Sequence, residues 1–195
     1  MSMIVDPDVE LMSRVKSGDM TAFQILFDKY KKRILHFCYR YCGHHQVSEE
    51  LAQETFLRVY KAAARYRPKA RFATWLYRIA TNVCLNELRK REYRQRIESL
   101  DQLREDIADV ATADTQTPSP EARLQDRERD GFIQQGLTGL PDKQRAALLL
   151  RIEGGFRYRE IAGQIGCSES HVKVLIHRGR KQLRQRLEHF MGDTP

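Results

Sequence analysis

Apolar residues recur along most of this chain at three- and four-residue intervals, with no sustained alternation. Ala22, Ile25, Leu26, Ile34 and Phe37 make one stripe through residues 20–42, Leu51, Thr55, Val59 and Ala62 a second, and Leu76, Ile79, Ala80 and Val83 a third. A period near 3.6 brings such positions onto one side, so each stripe predicts the core face of an amphipathic helix. Gly43 suits the end of the first helix. Ser48, followed by Glu49 and Glu50, predicts the cap and acidic first turn of the second. Pro68 breaks the pattern before the third. Further on, Leu140-Pro141-Asp142 predicts a helix start, Ala146 to Leu150 its apolar run, and Gly154-Gly155 its stop. The predicted fold is all-α.

From Asp106 to Pro120 the stripes give way to Ala, Asp, Thr and Ser and end in Thr117-Pro118-Ser119-Pro120, with Ile107 and Val110 as the sizeable apolar residues. That is linker composition. The expected organisation is two small helical domains, residues 1–96 and 121–195, joined by a flexible acidic linker over 97–120.

A length of 195 residues with 41% hydrophobic and 31% charged residues supports a packed core and argues against disorder throughout. No apolar run approaches the ~18 residues of a membrane span, and the first ten residues carry Asp6, Asp8 and Glu10 in place of a basic leader, so a cytoplasmic protein is expected. Cys38, Cys42, Cys84 and Cys167 are too few and scattered for a disulfide scaffold.

The net charge of +8 is unevenly spread. Residues 61–97 hold eleven basic and two acidic side chains, residues 98–121 one basic and seven acidic, and residues 151–189 nine basic and four acidic. Two basic blocks suit two contacts with a polyanion, since each neutralised phosphate releases counterions. Solvated basic helices account for the same counts, so motifs must decide.

The sharpest motif is YREIAGQIGCSESHVKVLIH, residues 158–177. Ala162 permits close helix approach, Gly166 a left-handed turn, and Ser168 an N-cap, while Val172 and Leu175 fold back onto Ile161 and Ile165. This is helix-turn-helix spacing, in which a tight turn holds the second helix proud of the domain for entry into a DNA major groove. It leaves Ser170, Lys173, Val174, His177 and Arg178 facing outward. An αα-hairpin that binds nothing is the bland alternative, weighed against by the cations that follow, Arg178, Arg180, Lys181, Arg184 and Arg186.

In the N-terminal half a loop with Arg65, Arg67, Lys69 and Arg71 runs beside Tyr66, Phe72 and Trp75, a combination that attracts phosphates and offers walls for an unstacked base. Core packing of Phe72 and Trp75 is the commoner use of such rings. On the following helix Arg78, Asn82, Asn86 and Arg89 recur opposite the apolar stripe, as a face for DNA.

ETFLRVY, FATWLYRIATN and LPDKQRAALLLRIEGGFRYREIAGQIGCSESHVKVLIHRGRKQL together resemble regions two and four of bacterial sigma factors of the extracytoplasmic-function group, within the sigma-70 family. The resemblance covers roughly residues 10–188. It implies a non-enzymatic transcription initiation factor that binds core RNA polymerase, directs it to promoters and assists melting at the −10 element. By position, it places Glu50, Gln53, Glu54 and Leu57 on the helix that docks on the clamp coiled coil of the beta prime subunit, with the beta subunit a further contact. It places Arg65, Arg67, Lys69, Arg71, Phe72 and Trp75 on the loop that captures a flipped −10 base, and Arg78, Asn82, Asn86 and Arg89 on the helix beside it. Ser170, Lys173, Val174, His177 and Arg178 fall on the −35 recognition helix. The acidic linker resembles the connector that threads toward the polymerase active-site channel. The resemblance also implies control by a separate anti-sigma protein, and no built-in regulatory domain is expected.

Pro68-Lys69-Ala70-Arg71 departs from the acidic or small polar residues common in that loop, and Val174 and His177 depart from the usual recognition-helix residues, so the bases read are left open. Apolar Val174 suits a thymine methyl. Cys38, Cys42, His44 and His45 lie close in sequence but match no common zinc spacing, and no phosphate-binding loop or nucleophile elbow is present. No cofactor is expected. A stand-alone helix-turn-helix regulator is the alternative function; a nuclease would need Asp101, Glu105, Asp106 and Asp109 as its carboxylate cluster.

Overall fold

Asp6 caps the first helix: its carboxylate accepts the Asp8 N–H at 3.2 Å, Pro7 takes the first helical position, and α1 runs Pro7–Lys16. Asp8, itself buried, accepts Lys29 Nζ at 2.6 Å and the Tyr30 hydroxyl at 2.6 Å, tying α1 to the next helix. The computed structural model describes residues 6–101 and 130–192, and every element within them is helical.

Asp19 caps α2, Met20–Cys42, by accepting the Ala22 N–H, and Gly43 ends it in the left-handed region at φ +76°. The buried face is Leu26, Tyr30, Ile34, Phe37 and Tyr41. Ile25, expected in the stripe, is 46% exposed. At 100° per residue it points about 140° away from the centre of that face, and the tyrosines complete the stripe instead.

The second helix, α3, runs His45–Ala62 and begins three residues before the expected cap. Ser48 is therefore inside the first turn and fully buried, its hydroxyl donating to the His45 carbonyl at 2.6 Å. A short 3₁₀ turn, Ala63–Arg65, leads through Pro68 to α4, Phe72–Asp101. The Phe72 N–H donates to Asp6 at 3.0 Å, so one carboxylate serves the starts of both α1 and α4. Helix α4 continues past residue 96; the rest of the expected linker, from 102, and the expected start at 121 lie outside the described residues.

The second part comprises α5 over residues 130–138, α6 (Asp142–Ile152), α7 (Tyr158–Ile165) and α8 (Glu169–Gly192). Its core, Ala146 to Leu150 with Ile161, Val172 and Ile176, is continuous with that of the first part. The junction follows from an ordinary deficiency: the last carbonyls of any helix lack intrahelical partners. Here they are met across the junction. Arg145 donates to the Tyr41 carbonyl at 2.6 Å and, within its own part, to the carbonyls of Leu140 and Thr138. Gln134 donates to the Tyr39 carbonyl at 3.0 Å, and the Tyr41 hydroxyl to that of Asp142 at 3.2 Å. Tyr77 on α4 packs edge-on against Phe156, and His36 meets Glu153 at 3.4 Å, holding that carboxyl below its usual range.

Candidate nucleic-acid and polymerase interfaces

The second part holds a helix-turn-helix. Gly166, at φ +66°, ends α7 and reverses the chain, and Ser168 Oγ accepts the His171 N–H at 3.2 Å to start α8. Val172, Leu175 and Ile176 are buried toward Ile161 and Ala162. Ser170, Lys173, Val174, His177 and Arg178 are all exposed on the first turns of α8. Val174, at 42%, is an apolar side chain left in solvent on an otherwise polar face. Behind it, Gly179 is buried against Gln144 of α6, which fixes how far α8 stands out. Arg180, Lys181 and Arg184 extend the basic surface, while Arg186 turns back to donate to the Gly139 carbonyl at 2.9 Å.

In the first part Arg78, Asn82, Asn86 and Arg89 form one exposed stripe on α4, opposite buried Leu76, Ala80, Val83 and Cys84. Arg65, Arg67, Lys69 and Arg71 are exposed on the preceding segment, where the Lys69 N–H donates to the Arg67 carbonyl at 2.9 Å. The rings divide the work. Phe72 has no exposed surface and packs against Tyr30 at 5.5 Å, so it cannot face a base. Tyr66 is likewise buried, 4.8 Å from Trp75, and burial pushes its phenol up to about 12. Trp75 keeps part of its surface in solvent; it is the ring of the three placed to meet a ligand, with Tyr66 and Phe72 as its backing.

On α3, Glu50, Gln53 and Leu57 are exposed, and Glu54 is partly covered by its ion pair with Arg58 at 2.6 Å. Gln53 and Leu57 border an apolar groove against α2. One lobe, of about 280 Å³, is floored by Phe27, Leu35, Ala52 and Phe56 and rimmed by Lys31, Lys32 and Gln53. The other, of about 290 Å³, lies between Met20, Phe23, Leu57 and Tyr60. Met20, Leu57 and Tyr60 are 55, 45 and 46% exposed, a contiguous apolar patch of the kind that marks a partner surface. Of the patch, Leu57 is among the residues expected from sequence, whereas Met20, Phe23, Phe27 and Tyr60 are not; Leu57 and Tyr60, apolar at i and i+3 outside the core stripe, carry its signal in the sequence.

No group of three or more His, Cys, Asp or Glu is placed to hold a metal among the described residues, and Cys38 and Cys84 belong to the core. No helix among the described residues is long and apolar enough to cross a membrane. The carboxylates Glu105, Asp106 and Asp109 lie outside the described residues.

The sequence matches the family descriptions Sigma-70 region 2 over residues 26–94 and Sigma-70, region 4 over residues 133–183. It is 33% identical to the ECF RNA polymerase sigma factor SigW of Bacillus subtilis across 90% of this chain and 94% of that protein. It is 34% identical to the RNA polymerase sigma-H factor of Pseudomonas aeruginosa across 97% of this chain and 98% of that one. Among solved structures, CnrH in complex with the cytosolic domain of CnrY superposes with a TM-score of 0.67 at 22% identity, covering 94% of this chain and 99% of that chain. The sigma factor RpoE in complex with the anti-sigma factor NepR from Bartonella quintana gives 0.65 at 22%, covering 85 and 96%. At that identity the structural likeness speaks for the fold.

Proposed function

Since the chain belongs to the extracytoplasmic-function group of the sigma-70 family, and as such directs RNA polymerase to promoters and is not itself an enzyme, we propose that three separate faces divide that work. The α2–α3 groove, with Glu50, Gln53, Glu54 and Leu57, takes the clamp coiled coil of beta prime. The basic segment 65–71 with Trp75 captures a flipped −10 base, and Arg78, Asn82, Asn86 and Arg89 follow the adjoining strand, which assists melting. Ser170, Lys173, Val174, His177 and Arg178 read the −35 element from the major groove. The factor works in the cytoplasm beside the polymerase, and a separate anti-sigma protein restrains it.

The observation that carries this reading is the continuous exposed run from the basic segment 65–71 along the polar stripe of α4, backed by a buried ring stack. Cations there draw in phosphates, and Trp75 gives one face for an unstacked base. The test is transcription from a genomic fragment library by purified core polymerase with and without the protein, start sites being sequenced. Discrete factor-dependent starts that share upstream motifs near −35 and −10 are expected; starts without a shared motif would refute the division of labour. Leu57→Arg is expected to abolish co-elution with core polymerase while the helical circular dichroism stays unchanged. An arginine there puts a charge into the apolar groove without touching the core, so undiminished binding would remove α3 from the interface.

A further inference from the structure

Three of the four cysteines gather where the end of α2 meets α4, on the side of α4 opposite its exposed polar stripe. The sulfurs of Cys38 and Cys84 are 3.8 Å apart, buried, and separated by 46 residues of chain. Cys42 stands one turn beyond Cys38 as the last residue of α2, partly exposed, its thiol 3.5 Å from the His44 carbonyl. Two thiols in contact across a helix pair need close by only about 1.8 Å to reach the ~2.05 Å of a disulfide. Buried cysteines are ordinarily inert because no oxidant reaches them. Cys42 removes that obstacle: it shares a helix face with Cys38 at i, i+4, and it is partly exposed to solvent.

We propose that Cys38 and Cys84 form a reversible disulfide in response to hydroperoxides, with Cys42 as the thiol that reacts first. The Cys42 thiolate attacks a peroxide oxygen and the O–O bond breaks, leaving Cys42 as a sulfenic acid and releasing water or an alcohol with the proton the thiol gave up. Cys38 then attacks the Cys42 sulfur, and the hydroxyl departs as water with the Cys38 proton. Cys84 attacks Cys38 in turn, and Cys42 leaves as a thiolate that takes the Cys84 proton. The peroxide is reduced, two thiols are oxidised, and Cys42 is restored. Burial holds the Cys42 and Cys84 thiols up, so the conversion is slow and answers to sustained exposure.

The test treats the folded full-length protein with hydrogen peroxide, alkylates remaining thiols and analyses the digest by mass spectrometry without reduction. A peptide pair linking Cys38 to Cys84, lost on treatment with dithiothreitol, is expected. In Cys42→Ser, a change at a partly exposed position, the same link should form at least about tenfold more slowly. All four thiols remaining free, or links only through Cys167 or between chains, would overturn the proposal. An equal rate in Cys42→Ser would overturn the order of the steps.

Discussion

Gly43 and Arg145 show how much one residue settles at the junction. Gly43 combines φ +76° with a neighbour that a Cβ would meet at 2.7 Å, the Thr138 methyl of α5. Gly43→Ala therefore meets backbone strain and a steric clash together. It should lower unfolding stability by about 1–2 kcal/mol in urea titration. Arg145 carries a buried positive charge, and burial pulls its pKa down, yet no carboxylate answers it directly in the hydrogen bonds it makes; carbonyl oxygens of Tyr41, Thr138 and Leu140 do. Arg145→Met keeps the volume and leaves those carbonyls bare, a loss on the order of 3 kcal/mol in the same titration. Gly43 was legible in the sequence because a glycine after an apolar stripe ends helices. Arg145 was not, because the carbonyl it meets belongs to a residue about a hundred positions earlier, and carbonyls leave no mark in a sequence.

Among the elements, α8 was the most legible. Its first turns alternate between residues that must face Ile161 and residues that cannot, and burial divides them that way: Val172, Leu175 and Ile176 inside, Lys173, Val174 and His177 outside. Lys173→Ala should weaken promoter-directed initiation several-fold while leaving core binding unchanged, and should lower the slope of log affinity against log salt by about one. Equal loss of both activities would take Lys173 off the DNA face. Stripes were less informative at their edges. Ile25 fell into the expected pattern by spacing and out of it by angle, and Ser48 read as a cap because its type suits one, although α3 had already started at His45. The ring residues illustrate a further limit. Composition placed Tyr66, Phe72 and Trp75 beside the cations, but which ring faces outward depends on Tyr30, a residue of α2 that local sequence does not bring into view.

For the whole molecule, the two helical parts touch through Tyr77 and Phe156, His36 and Glu153, and the carbonyls at the end of α2. The −10 and −35 elements lie about 25 base pairs apart, roughly 85 Å at ~3.4 Å per pair. A chain of this length packed as one body is roughly 40 Å across. On the proposed reading the α4 stripe and α8 cannot engage both elements from the closed arrangement. Fluorophores placed on α2 near Asp28 and on α8 near Arg184 should therefore move apart by tens of ångströms when the free protein enters a promoter complex with core polymerase. An unchanged distance would contradict simultaneous contact by the two faces.

That shared junction also limits modularity. By pattern and charge the chain divides into two exchangeable modules, and a chimaera joining residues 1–101 to the second half of a relative looks straightforward. The seam is not generic. It relies on an arginine at position 145 for the Tyr41 carbonyl, a glutamine at 134 for that of Tyr39, and no side chain at 43 where Thr138 approaches. A donor half without these would leave polar backbone bare at the graft, so the free chimaera should keep its two halves docked only when the seam residues travel with them.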